Sequence, residues 1–218
     1  NFIIHWHFGR IPELGKKNNF EWKLLLKVAK SANISIVLDN KSFLVLDQNK
    51  VREVILIPNP ISEELINGEK FFTINKKSID IGTFVFIGHI IPAKGVSELV
   101  KACCLVKYNI NLVLIGPVSK SFKEELTSLS SKIDIDFITW TGELSRRDAV
   151  KYLHTANALC LPSYTEGFPN VILEAMSTGC PVIATDVGAI REMIFSDEFG
   201  NAGICIEPKS VELLAEAL

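Results

Sequence analysis

Apolar runs of four to six residues alternate with segments of helical period along almost the whole chain. The runs Phe2–His7, Ile34–Leu38, Val54–Ile57, Thr83–Ile87, Leu112–Ile115, Asp136–Trp140, Ala158–Leu161, Pro181–Ala184 and Gly203–Ile206 read as strands. From Thr83 onward these runs are mostly continuous in apolar character, as parallel strands covered on both faces require. Between them, Val96, Leu99, Val100 and Cys103 repeat at i, i+3, i+4 and i+7, which makes one buried helical stripe. Ser145-Arg146-Arg147-Asp148 has the form of a capping box with Asp in place of Glu, ahead of a helix using Val150, Leu153 and Ala156. Ser210 stands where it can cap a last helix from Val211 to Leu218. The repeating strand–helix order predicts an α/β fold with doubly wound sheets and ligands at the carboxyl ends of the strands.

Composition narrows the class. Of 218 residues, 48% are apolar and 22% charged, enough to bury a sizeable core. A net charge of −2 argues against a nucleic-acid binder, which carries a clear basic excess. The five cysteines form neither a C-x-x-C pair nor a zinc-ligand pattern, and most sit in apolar runs as small hydrophobes. A reducing cytosol fits that usage, so a cytoplasmic protein is expected. No apolar run approaches the ~18 residues that span a bilayer. The chain begins at Asn1 within a strand-like run and ends at Leu218 within a helix-like one, which reads as an excerpt of a longer protein. A boundary is expected between Pro60 and Gly82, where Ile57-Pro58-Asn59-Pro60 breaks regular structure and the stretch from Asn67 to Asp80 is polar.

Chemistry concentrates between Ser163 and Met176. The segment Ser163-Tyr164-Thr165-Glu166-Gly167-Phe168-Pro169-Asn170 follows a buried strand, and Pro169 suits the first turn of a helix. Free amides in that turn, with the macrodipole behind them, form a place for phosphate oxygens, and Gly167 permits close approach. Glu166 precedes the helix, while Glu174 lies one turn in on the face of Asn170. Carboxylates are poor phosphate ligands but good acceptors for sugar hydroxyls. The pair therefore suits a diphosphate with hydroxyl-rich rings on both sides, as in a nucleotide sugar. Taken alone, the two glutamates equally describe a helix cap and a solvated face.

The residues that follow separate these readings. Glu166 to Glu174, with seven residues between, continues through Ala175-Met176, Gly179-Cys180-Pro181-Val182 and Gly188 to Arg191-Glu192. This resembles the E-x7-E signature of glycosyltransferase family 4, whose members are retaining, metal-independent and of the GT-B fold. The resemblance implies that Glu166 contacts the transferred sugar, that the amides of Gly167, Phe168, Pro169 and Asn170 approach sugar and diphosphate as far as each has an N–H, and that Glu174 takes the ribose hydroxyls. Gly88-His89-Ile90-Ile91-Pro92-Ala93-Lys94-Gly95 is similar to the family's glycine loop and lysine, which makes Lys94 a stabiliser of the departing diphosphate. Many members carry Arg where this chain has His89, a weaker and pH-dependent contact. The loop from Thr141 to Ser145, including Leu144, stands where the family reads the nucleobase.

By the same resemblance, residues 1–60 are the latter part of an acceptor domain, 61–81 a linker or insertion, and 82–218 the donor-binding domain. Two Rossmann-like domains are implied, the first incomplete. In the family a histidine approaches the reacting carbon. His5 and His7 share a strand face and either could serve, with His7 preferred as nearer the loop; the alternative is two histidines on a solvated face. Arg10 in the same loop is a structural residue or an anion contact. The D-x-D of Asp134 and Asp136 reads as a solvated edge, so no metal and no cofactor beyond the donor substrate is expected. Lys23, Lys27 and Lys30 line one helix face, which is either plainly solvated or attracted to an anionic membrane surface, placing the protein at its inner face. The function expected is transfer of a sugar from a nucleoside diphosphate to a glycan or lipid-linked acceptor in surface polysaccharide biosynthesis. Alternatives are a nucleotide-sugar-binding or regulatory module without turnover and a GT-B epimerase.

Overall fold

The computed structural model describes residues 2–7, 9–61, 81–130, 137–198 and 200–218. The smaller of its two main sheets is built from β1 (Ile3–His5), β2 (Ile34–Val37) and β3 (Val54–Leu56), all parallel and in that spatial order. Parallel neighbours need crossovers. Helices α1 (Ile11–Lys17) and α2 (Phe20–Ser31) join β1 to β2, and α3 (Asn40–Gln48) joins β2 to β3. The helix starts are written in short polar side chains. Asn19 accepts from the Trp22 amide, and Asp39 from the Ser42 amide, with the Ser42 hydroxyl donating to Asp39 as well. Ile11, Leu14, Trp22, Ala29, Val37 and Leu46 close the core of this part.

The larger sheet comprises β4 (Ile81–Ile87), β5 (Asn109–Ile115), β6 (Ile138–Gly142), β7 (Ala158–Leu161), β8 (Val182–Thr185) and β11 (Gly203–Ile206). Its order is β11-β8-β7-β4-β5-β6, with every pairing parallel. A two-stranded antiparallel pair, β9 (Phe195–Ser196) and β10 (Gly200–Asn201), stands beside it. The connecting helices are α4 (Val96–Leu105), α5 (Lys120–Ser130), α6 (Arg146–Leu153), α7 (Asn170–Ser177) and α8 (Ile190–Ile194), and α9 (Val211–Ala217) follows β11. Strands β7 and β8 are buried at every residue, which explains their unbroken apolar sequences. Starting from β4, the chain winds outward through β5 and β6 and then returns to place β7 on β4's other side. The strand order therefore reverses between β4 and β7, and a crevice opens there at the carboxyl ends.

Several expectations shift by a few residues. The strand expected over Asp136–Trp140 pairs as Ile138–Gly142, with an irregularity opposite Leu114 and Ile115. Strand β1 pairs only to His5, and Pro169 is the cap residue of α7 rather than its first turn. The stretch around Asp134 to Asp136 and most of the expected linker lie outside the described residues. Ser145 and Ser210 cap their helices as their positions predict, accepting from the Asp148 and Leu213 amides.

The cysteines are free, and three are buried in the larger core. Burial pushes the Cys103 thiol up to about 12 and Cys180 to about 11, and lifts Cys160 well above its ordinary value. An aromatic disulfide reagent at mildly alkaline pH is thus expected to label these three about a hundredfold or more slowly in the native protein than in denaturant. Rapid native labelling, read by peptide mass, would contradict the burial.

Candidate functional site

Two loops meet across the crevice between β4 and β7. The first runs from Gly88 through a 3-10 turn at Pro92–Lys94 to Gly95, and the second from Pro162 to Pro169. They are joined by a hydrogen bond from the Tyr164 amide to the Ala93 carbonyl, 3.0 Å. Gly95 makes the approach possible. Its φ of +67° is left-handed, and a Cβ there would lie 2.1 Å from the Pro162 carbonyl oxygen. This geometry carries Lys94 to Glu166, Nζ to Oε1 at 2.6 Å. The Ser163 hydroxyl donates to the same oxygen, also at 2.6 Å. Ser163 is wholly buried, and the Thr185 hydroxyl donates to its carbonyl oxygen. Only 10% of the Glu166 side chain and 27% of Lys94 meet solvent, so the pair sits where partner strength matters more than at an open surface.

Glu174 occupies the next turn of the crevice. It is buried on α7, and Arg146 from the first turn of α6 reaches it, Nε to Oε1 at 2.6 Å. Arg146 was missed in the sequence, yet its signal was there. Arg146 and Arg147 stand in the first turn of a helix, against the macrodipole preference, and such a departure asks for a partner elsewhere. Helix α7 begins without a side-chain cap, as Pro169 offers none. Its leading amides are therefore available to an acceptor. The Asn170 side chain is engaged by Asn59 of the crossover segment, Nδ2 to Oδ1 at 2.9 Å. Gly88 ends β4 with its amide donating to the Ile115 carbonyl, and His89 beside it is exposed. Leu144 packs, half-buried, on the core after β6.

The smaller sheet presents its β1 loop to this same crevice. Gly9 lies directly on the Glu166–Gly167 backbone, where a Cβ would come within 2.1 Å of the Glu166 carbonyl oxygen. Gly167 itself is less constrained, since its nearest backbone neighbours, Gly9 and the His7 carbonyl, would stand 3.3–3.5 Å from a Cβ. His5 and His7 lie on one side of the strand, their rings 4.1 Å apart and both exposed. Arg10 faces Glu21 at 3.5 Å. On the other side of the loop, Gly188 adopts a φ of +57° and would touch the Glu166 carbonyl oxygen with any Cβ, while the Ala189 amide donates to the Gly167 carbonyl at 2.9 Å.

A polar latch completes the join. The Glu192 carboxylate of α8 accepts from the Asn40 amide at the start of α3, at 3.0 and 3.2 Å. The neighbouring Lys41 ammonium donates to the Gly188 carbonyl at 3.3 Å and stands 4.0 Å from Asp186, which also holds Arg191. Among the described residues no group of three or more His, Cys, Asp or Glu is arranged to hold a metal.

A family model described as "Glycosyl transferases group 1" matches residues 69–218. The chain belongs to this family. Over 135 residues it is 33% identical to TuaC of Bacillus subtilis, a glycosyltransferase whose name gives it a provisional role in teichuronic acid biosynthesis; the match covers 62% of this chain and 31% of TuaC. It is 26% identical over 203 residues to the glycosyltransferase MJ1178 of Methanocaldococcus jannaschii, covering 93% of this chain and 53% of the relative. The chain thus spans between about a third and about half of these relatives. In fold it matches HepE of Anabaena, solved with UDP, at a TM-score of 0.78 and 18% identity, covering 98% of this chain and 60% of that one. The parallel α/β architecture is that of GT-B glycosyltransferases.

The latch has a pH signature. Burial, partly countered by the Asn40 amide, lifts the Glu192 carboxyl above its ordinary 4.5, with Asp39 adding repulsion and Lys41 attraction. A raised carboxyl favours the joined state most when protonated, and that contribution is lost as pH rises through the shifted value. Glu192→Gln is therefore expected to melt at or slightly above the parent at pH 7 to 8. The difference should close as pH falls toward 4.5. A gap that widens on acidification contradicts the assignment. Glu192→Ala, which removes the cap, should lose about 1 kcal/mol.

Proposed function

We propose that this chain carries the donor half of a retaining, metal-independent glycosyltransferase of the family 4 kind, with its acceptor side begun by the smaller sheet. One observation carries the reading. At the reversal of strand order a lysine and a serine converge on one oxygen of the Glu166 carboxylate, and a second carboxylate eight residues on, Glu174, is held by an arginine. Two acceptors flanking a cationic and amide-lined crevice match a ligand with hydroxyls at both ends and a diphosphate between.

In this reading the diphosphate of a nucleoside diphosphate sugar lies against the leading amides of α7 and against Lys94, Gly88 and His89. Lys94 supplies a charge-assisted contact that strengthens as negative charge builds on the leaving phosphate. Glu166, held by Ser163, orients the sugar, with the Gly167 and Phe168 amides beside it and Pro169 setting the helix start. Glu174 receives the ribose hydroxyls, and the Leu144 loop flanks the base. His7 stands toward the reacting carbon. The acceptor hydroxyl approaches on the face the diphosphate leaves, passes its proton to the departing phosphate oxygen, and so keeps the anomeric configuration. The role in TuaC's name supports an acceptor in polysaccharide biosynthesis. The exposed His89, where an arginine fork would grip a diphosphate more firmly, favours as second reading a nucleotide-sugar-binding module without turnover.

Calorimetric titration of the purified chain with UDP, GDP and ADP tests the site. One nucleotide is expected to saturate it. Glu174→Ala should weaken that binding about ten- to a hundredfold, as loss of hydrogen bonds to a charged group does. Lys94→Ala should weaken the diphosphate more than the nucleoside alone. A folded chain that binds none of the three removes the donor-site reading.

A further inference from the structure

Between Ser163 and Glu166, Tyr164 ties the Glu166 loop to the segment that carries Lys94. Its amide donates to the Ala93 carbonyl at 3.0 Å, a bond that any residue but proline could make at this position. Its side chain is more specific. The phenol faces the Glu98 carboxylate in the first turn of α4, four residues beyond Lys94. Burial and this carboxylate push the phenol up to about 12, so it keeps its proton to donate through the neutral range. Over the ring stands the Lys209 ammonium, 4.9 Å from the centroid, carried by the loop between β11 and α9.

The cluster is built at a cost. Glu98 Oε2 is buried with no hydrogen-bond partner among the described residues, and Lys209 holds a left-handed φ of +67°. Leucine at position 98 and phenylalanine at 164 would pack there without burying a polar group. Glycine would take the backbone of Lys209 without strain. Such costs persist where the arrangement they secure has a use. The geometry names one. The approach of Gly95 to the Pro162 carbonyl and the Tyr164–Ala93 bond are neighbouring main-chain contacts, and together they act as a hinge. The phenol meets α4 beyond that hinge, so it fixes the angle at which the two loops join. That angle sets how Lys94 stands to Glu166.

We propose that Tyr164 is a positioning residue: through Glu98 it holds Lys94 against Glu166, while Lys209 keeps its ring in place. That this serves a nucleotide rests on the donor-site reading above. Calorimetry with the nucleotide that the parent chain binds tests the role. Tyr164→Phe should weaken binding about three- to tenfold, as loss of one hydrogen bond to a charged group does. Glu98→Leu should weaken it equally. Glu98→Gln, whose amide oxygen still accepts from the phenol, should stay within about twofold of the parent. In a Lys94→Ala background, Tyr164→Phe should cost nothing further, because a residue acting through Lys94 has no lever once Lys94 is gone. A merely structural tyrosine would give losses that add. The side-chain signal of Lys94 in lysine-labelled protein, assigned with Lys94→Arg, reports the same geometry without ligand. It is expected to move in Tyr164→Phe and in Glu98→Leu, with circular dichroism unchanged. If the parent binds a nucleotide and Tyr164→Phe binds it equally, or if the losses add, the proposal falls and the donor site stands. If no nucleotide binds, the donor reading falls instead. A Lys94 signal that moves then sustains the positioning role, and one that does not overturns it.

Discussion

Glu166 keeps a carboxylate where a tenth of its side chain meets water, and that placement makes demands on everything around it. A charge so withdrawn from water is costly unless an opposite charge and hydrogen-bond donors meet it. Lys94 provides the charge, which requires the β4 loop to cross the crevice, which in turn requires Gly95 against Pro162. Ser163 provides the second donor, and Thr185 from the next strand fixes the backbone that carries it. Three strands of the sheet thereby meet around Glu166, the loops after β4 and β7 at its carboxylate and β8 through the Ser163 carbonyl. The parallel winding brings their carboxyl ends together, and the carboxylate specifies how closely.

The second pair extends the logic. Glu174 is buried as its helix position dictates, and Arg146 neutralises it from across the crevice. Both acids are thus partnered within the chain itself. Any ligand that engaged either acid would have to displace Lys94 or Arg146, and its affinity would reflect a difference between two sets of contacts.

Much of this was legible along the chain, for reasons that differ by residue. The larger sheet announced itself because β7 and β8 are buried on both faces, leaving no alternation to misread. Ser145 and Ser210 marked helix starts because a hydroxyl capping an amide is a local event. Glu166, Glu174 and Lys94 stood out by spacing and by resemblance, and the fold does bring the first and last together. What escaped was long-range. Arg146 read as part of a cap, since nothing within α6 shows that it leans toward Glu174. Glu192 and Asn40 are 152 positions apart, and no local pattern links them. Gly9 carries no mark in the sequence, because its constraint comes from a backbone that only the folded chain sets beside it.

Gly9 and Gly188 press on the Glu166–Gly167 peptide from two sides, main chain against main chain. Such a stack has no side chains to repack, so it cannot be adjusted by degrees. In engineering terms, the Glu166 loop and the loop after β1 form a single part. Replacing the larger sheet with that of a relative would preserve the join only if both loops travelled with it. A chimera cut through the segment between the two sheets inherits one half of a fitted pair.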